Sequence, residues 1–361
     1  MKRYTFLLAI LLIAVSFLFS SCRPPELEGA IVHLNAGRDD QAFELAKEAA
    51  QKYPDNAEAW YVLGKIQGQK GMIKEMVDSF DKSLAINANY QKDIELQRNS
   101  YYSKYYNDAV ASYNGFIKIE DREGEQARKN LNSVIDNFNK ALMIQEDYMA
   151  HRLIAISYQG LEDDENNLKE LEIAAKVAPD TVMAWIELGY YFSRKKEYVK
   201  AADYFNKGLK VDPNNVECLT LYAQNLDFAD KKDEAIAAYK NAIAKNPEEK
   251  AIPFNLGLLL NKQANDLEDD AQKKVKLEEA VIYFKKAYDL DPELKETYDI
   301  LSTLLLQLER YDEAEKILDD GVQRFPDSAS MWQNLSFLHA KLGNKDKAEE
   351  YYEKSKQLRD N

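Results

Sequence analysis

Two cysteines and three histidines are the side chains of this 361-residue chain best suited to binding a transition metal or serving as an activated nucleophile. His33, His151 and His339 are scattered, and none belongs to an HExxH motif or stands beside a paired CxxC. No glycine-rich phosphate loop and no nucleophile elbow occurs either. The acidic runs Glu162–Glu165 and Glu268–Asp270 lack the alternating oxygen ligands and turning glycine of a calcium loop, so they read as solvated helix ends and loops. The expectation is a chain with no catalytic residues, no metal, no cofactor and no small-molecule substrate, and so not an enzyme.

Cys22 has a setting of its own. Lys2 and Arg3 precede an apolar run from Tyr4 to Phe19, and Ser20, Ser21 and Cys22 follow. Positive charge, apolar stretch and small residues in that order form a secretory signal. The segment resembles a bacterial lipoprotein signal, in which small residues precede an acceptor cysteine. Ser20 and Ser21 match, whereas Phe19 stands where leucine is usual. The resemblance implies that residues 1–21 are a signal peptide and that Cys22 is the lipidation site, with 22–26 as a lipidated cysteine and short tether. Arg23, Pro24 and Pro25 would stiffen that tether. Several acyl chains bind a bilayer firmly, at ~0.8 kcal/mol per buried methylene. The implied location is the bacterial cell envelope, periplasm-facing, and Arg23 after the cysteine favours outer over inner membrane. The other reading of the run is an uncleaved membrane anchor, since it is nearly long enough to span.

The formal net charge of −14 becomes −16 without residues 1–21, because 46 basic residues then face 62 acidic ones. Nucleic-acid binding needs a basic footprint to displace counterions, so no nucleic-acid partner is expected. Only 13 glycines and 9 prolines are present, too few for an all-β chain of many tight turns. The bias is helical.

What must position any functional side chain is a repeat. Pro179, Pro213 and Pro247 are evenly spaced, and Pro292 and Pro326 share the same interval; the step from 247 to 292 is longer by 11. Counting from each proline, Trp185, Leu188, Gly189 and Phe192 occupy repeat positions 4, 7, 8 and 11, and Ala201, Phe205 and Gly208 occupy 20, 24 and 27. The first set lies on one face of a helix and the second on the facing stripe of another. Proline at position 32 ends the second helix. The pattern recurs in Leu219, Tyr222 and Ala223 with Tyr239, in Trp60, Leu63 and Gly64 with Phe80, in Tyr298 and Leu301 with Ala314, and in Trp332 and Leu335 with Ala348.

These positions resemble the tetratricopeptide repeat (TPR). The resemblance implies an all-α solenoid of helix-turn-helix units, wound as a right-handed superhelix over 27–361. About nine repeats are expected, near 23–56, 57–90, 91–147, 148–181, 182–215, 216–249, 250–294, 295–328 and 329–361. The third carries an insertion near 99–128 that includes Tyr101, Tyr102, Tyr105, Tyr106 and Tyr113. The seventh carries extra residues in 262–276, read as a lengthened hairpin. The three histidines fall at helix-packing positions, and Cys218 at position 3 reads as a buried thiol. In such arrays the first helices line a concave groove. Transferred by position, the groove residues are Tyr190, Arg194, Gln224, Phe228, Phe254, Leu258, Asn261, Thr303, Leu306, Phe337 and Lys341. The implied function is a membrane-anchored scaffold that binds partner proteins or peptides there, in assembly of a cell-envelope complex; the other reading is a scaffold for exopolysaccharide synthesis or secretion.

Overall fold

The computed structural model describes residues 23–360; the signal segment and Cys22 lie outside the described residues, as does Asn361. Eighteen α-helices make up the described chain, with no strand among them. Residues to Ala178 and residues from Pro179 onward form two compact units.

The first unit holds α1 (Pro25–Asn35), α2 (Asp39–Lys52), α3 (Ala57–Gln69), α4 (Ile73–Ile86), α5 (Gln91–Ile117), α6 (Glu125–Leu142), α7 (Tyr148–Gly160) and α8 (Asp164–Val177). The second holds α9 (Val182–Arg194), α10 (Tyr198–Val211), α11 (Val216–Phe228), α12 (Lys232–Lys245), α13 (Ala251–Asn265), α14 (Asp270–Leu290), α15 (Lys295–Gln307), α16 (Tyr311–Arg324), α17 (Ala329–Lys341) and α18 (Lys345–Asp360). Within each unit, each odd-numbered helix packs on the even-numbered helix that follows, and each hairpin packs on the next. No helix among the described residues is long and apolar enough to cross a membrane.

Small residues on the first helix of a hairpin face large ones on the second. A Cβ on Gly64 would stand 2.6 Å from the Phe80 ring, one on Gly189 2.5 Å from Phe205, and one on Gly257 2.9 Å from Phe284. Each phenylalanine is fully buried, which stabilises the fold by ~1.5–3 kcal/mol apiece. Gly257 and Phe284 are farther apart in sequence than the other two pairs, because the extra segment of the seventh hairpin lies between them. They face each other all the same. The extra residues extend the two helices beyond this pair, toward the connection, so the pair keeps its place near the outer ends of α13 and α14.

Those extra residues lengthen the hairpin through its helices. They add turns to α13 and mainly to α14, and the connection is only 266–269. In the third hairpin, likewise, α5 runs unbroken through much of the expected insertion, and the loop is 118–124. Early in α5, Ile94 is buried with Ile73, Met76 and Phe80, while Tyr106 and Ala109 pack with Val134 and Phe138 of α6. The Tyr106 and Phe138 rings meet edge to face at 5.2 Å. The tyrosine-rich stretch is thus part of the core.

Seven hairpins turn in the same way. Gly37, Gly71, Glu162, Lys196, Asp230, Glu309 and Gly343 have φ between 57° and 81°, and each stands just beyond the end of a first helix. The next amide donates back to a carbonyl in the last turn: Arg38 to His33, Glu197 to Phe192, Arg310 to Leu305. This is the six-to-one bond of a Schellman C-cap, which satisfies otherwise unpaired helix carbonyls. The hairpins without it are the third and seventh, the two that are lengthened.

The junctions between hairpins have their own tie. Each of the chain's three tryptophans occupies position 4, and its indole Nε1 donates to the carbonyl of the preceding junction proline at 2.9 Å: Trp60 to Pro54, Trp185 to Pro179, Trp332 to Pro326. Tyr298 reaches Pro292 O with its hydroxyl at 3.0 Å. Where position 4 is Leu219, the Lys245 ammonium takes the Pro213 carbonyl instead, at 2.7 Å. Proline ends the helix, and the folded hairpins satisfy its carbonyl.

At the N-terminal end, α1 begins at Pro25, so Pro25 and Glu26 are helical and not tether. The Arg23 guanidinium donates twice to Glu58 (2.8 and 3.1 Å) and once to Glu28 (2.9 Å), which holds the chain directly after Cys22 against α1 and α3.

Candidate partner-binding face

In the second unit the candidate residues sit on the first helices α9, α11, α13, α15 and α17. Tyr190, Gln224 and Leu258 are equivalent positions of successive repeats, as are Thr303 and Phe337. Polar contacts join α9 to α11 and α15 to α17 on this side. The Tyr190 hydroxyl donates to Glu217 at 2.9 Å, Ser330 donates to Asp299 at 2.6 Å, and the Asn334 amide donates to Thr303 at 3.2 Å. These contacts place repeat positions 2, 5, 6 and 9 of neighbouring first helices side by side.

Large apolar side chains remain uncovered there: Tyr190, Phe228, Leu258 and Phe337 are between 38% and 58% exposed. Arg194, Thr303 and Lys341 are exposed as well, and Gln224 and Asn261 half-buried. The Lys341 ammonium lies 5.4 Å from the centre of the Phe337 ring. Cations at this end of the helices also complement the helix dipole.

Two candidates are corrected in part or in full. Leu306 is 7% exposed and belongs to the core cluster of the second unit, so it offers no surface. Phe254 is half-buried and packs edge to face on Phe284 at 5.7 Å, which gives it a structural role first. Both are taken up by apolar neighbours of the second unit. Tyr190 is also anchored. Its ring meets Phe205 edge to face at 5.8 Å, and burial together with the Glu217 contact raises its hydroxyl to about 12.

Two exposed residues that position transfer did not select, Glu296 on α15 and Lys262 on α13, also lie at groove positions of their repeats. Their signal was present in the repeat register. Cys218 is fully buried with its thiol pushed up to about 12 by desolvation, and its Sγ lies where a Cβ on Gly208 would come within 2.6 Å. It fills a gap between helices and is not poised for chemistry. Among the described residues no cluster of His, Cys, Asp or Glu could hold a metal ion.

Successive helical hairpins, seven of them closed by the same turn, define a helical repeat protein. Five family models described as tetratricopeptide repeat match residues 28–66, 57–90 and 329–361, 182–215, 223–294, and 276–336. The chain carries tetratricopeptide repeats. It is similar to the peroxisomal targeting signal receptor of Kluyveromyces lactis, 22% identical over 231 residues, covering 64% of this chain and 37% of that protein. A TPR repeat-containing protein of Methanocaldococcus jannaschii is 23% identical over 332 residues, covering 87% of this chain and 54% of its own length. The chain thus spans between about a third and a half of these relatives. Among solved structures, YrrB, described as a TPR protein with an unusual peptide-binding site, is 18% identical with a TM-score of 0.43, over 52% of this chain and 91% of that one.

Proposed function

We propose that this chain is a lipid-anchored scaffold of the bacterial cell envelope that holds partner proteins or peptides along the first helices of its second unit, in assembly of an envelope complex. The observation that carries the binding role is the row of uncovered large side chains, Tyr190, Phe228, Leu258 and Phe337, on a protein otherwise rich in charge. A helix or extended peptide laid across the first helices would bury them. The K. lactis relative is by its description a receptor for a targeting signal, which is the same kind of task. The anchor is supported by the order of residues around Cys22, and Arg23, tied to Glu58, would put the first hairpin next to the bilayer.

The first test is intact mass and membrane fractionation of the native protein beside Cys22→Ser, followed by pull-down with the native form. Acyl mass and membrane retention in the native form alone support the lipoprotein. If both forms keep residues 1–21 and stay in the membrane, the N-terminus is a spanning anchor. If neither associates, the signal is simply cleaved and the partners are to be sought in solution.

A further inference from the structure

The fourth hairpin lacks both the aromatic residue at position 4 and the proline before it. His151 occupies position 4, and the junction is Met143–Asp147. The side chain is buried, and both ring nitrogens face carboxylates. Nε2 is 2.8 Å from Glu146 Oε2, on the junction, and Nδ1 is 2.7 Å from Glu170 Oε2, on α8. A neutral imidazole has one N–H, whereas two carboxylates accept and cannot donate. Both contacts are hydrogen bonds only when the ring is an imidazolium. Where Trp60, Trp185 and Trp332 tie their junctions with a proton that does not titrate, His151 ties its own with one that does.

We propose that the junction between the third and fourth hairpins is a pH-dependent joint, closed by the His151 imidazolium and released on the Glu146 side when the ring loses a proton. The asymmetry comes from solvent. The Glu146 side chain is 67% exposed and can turn to water, whereas Glu170 is 14% exposed and has little other hydration. The neutral ring therefore keeps Nδ1–H on Glu170 and frees Glu146. These two carboxylates are the charges that act on the ring. On its own helix Asp147 is committed to the Ala150 amide, and Arg152 is the next residue along. From α6 the helix meets Val134, Ile135 and Phe138, all apolar.

Burial lowers the tendency of this ring to hold its proton, but the two carboxylates outweigh it and raise the pKa above the ordinary value. A raised folded pKa means that the joint is fully closed below about 6.5, the free-histidine value. Its contribution is lost as pH rises through the folded pKa.

The test is imidazole ¹⁵N NMR of the whole protein from pH 5 to 10. Amide hydrogen exchange of 143–147, divided by the intrinsic rate, is measured across the same range. His151 should be doubly protonated at pH 6 and pass to the Nδ1–H form, while protection of 143–147 falls by about tenfold at the same midpoint, as expected for one lost charge-assisted hydrogen bond. Glu146→Gln, an exposed change that leaves the hairpin folded, should move the midpoint toward free histidine and flatten the exchange profile. A ring already neutral at pH 6, an Nε2–H neutral form, or exchange that is level through the titration would each overturn the proposal.

Discussion

Position 4 shows how a single side chain closes a junction. Trp185 is half-buried, fills space against Tyr204 and carries the hydrogen bond to Pro179 O. Trp185→Phe should cost ~0.5–1.5 kcal/mol, the net worth of one hydrogen bond, in urea unfolding followed by circular dichroism. A second prediction concerns Gly208, whose missing Cβ leaves room for the Cys218 sulfur. Gly208→Ala alone should destabilise by ~1–3 kcal/mol through overpacking. Adding Cys218→Ala removes the clashing atom and should recover part of that loss, so the two effects are non-additive in a double-mutant cycle. Strict additivity would mean that the sulfur is not what occupies the space. The buried, unionised thiol should also resist alkylation in the native state and react only on unfolding.

At the scale of the element, the hairpin turn is the recurrent device. Lys196 and Glu309 hold a left-handed conformation that costs a side-chain-bearing residue ~1–2 kcal/mol relative to the right-handed region. Gly37, Gly71 and Gly343 hold the same conformation without that steric cost. Lys196→Gly and Glu309→Gly should each stabilise by ~0.5–1 kcal/mol, once the greater freedom of glycine in the unfolded chain is deducted. Gly71→Ala should destabilise by a similar amount. Thermal melts of the three variants check both signs together; a destabilised Lys196→Gly would show that the turn is held by the lysine side chain and not by backbone geometry.

For the molecule as a whole, the question is which side chains hold it together and which are left for a partner. Leu256 is fully buried among the helices of the second unit, and Leu256→Ala should cost ~2–5 kcal/mol through the cavity it leaves. Phe228→Ala and Phe337→Ala remove exposed rings and should leave the melt within about 0.5 kcal/mol of native. They should, however, weaken capture of a partner identified by pull-down, measured by titration calorimetry. Tyr190→Ala should do both, since its ring packs on Phe205 and its hydroxyl joins α9 to α11. Equal destabilisation by Leu256→Ala and Phe337→Ala would erase the distinction between core and surface.

The repeat period and the paired helices were legible from the sequence, because each depends on residues a fixed number of positions apart and helical geometry converts that number into an angle. The Cys22 motif is legible in the same local sense, and its role stands as a proposal. Which position-selected groove residues keep a surface was decided by tertiary packing. Leu306 and Phe337 are both large and apolar at nearby repeat positions, yet one is buried and the other is not, because burial depends on the neighbouring helices and their angle. The left-handed turns at Glu162, Lys196, Asp230 and Glu309 were not legible either, since no glycine marks them. Nor were the proline-carbonyl ties of the tryptophans, or the two carboxylates on His151. Those contacts need a backbone carbonyl or a charge from another element at hydrogen-bond distance, and only the folded chain brings such groups together.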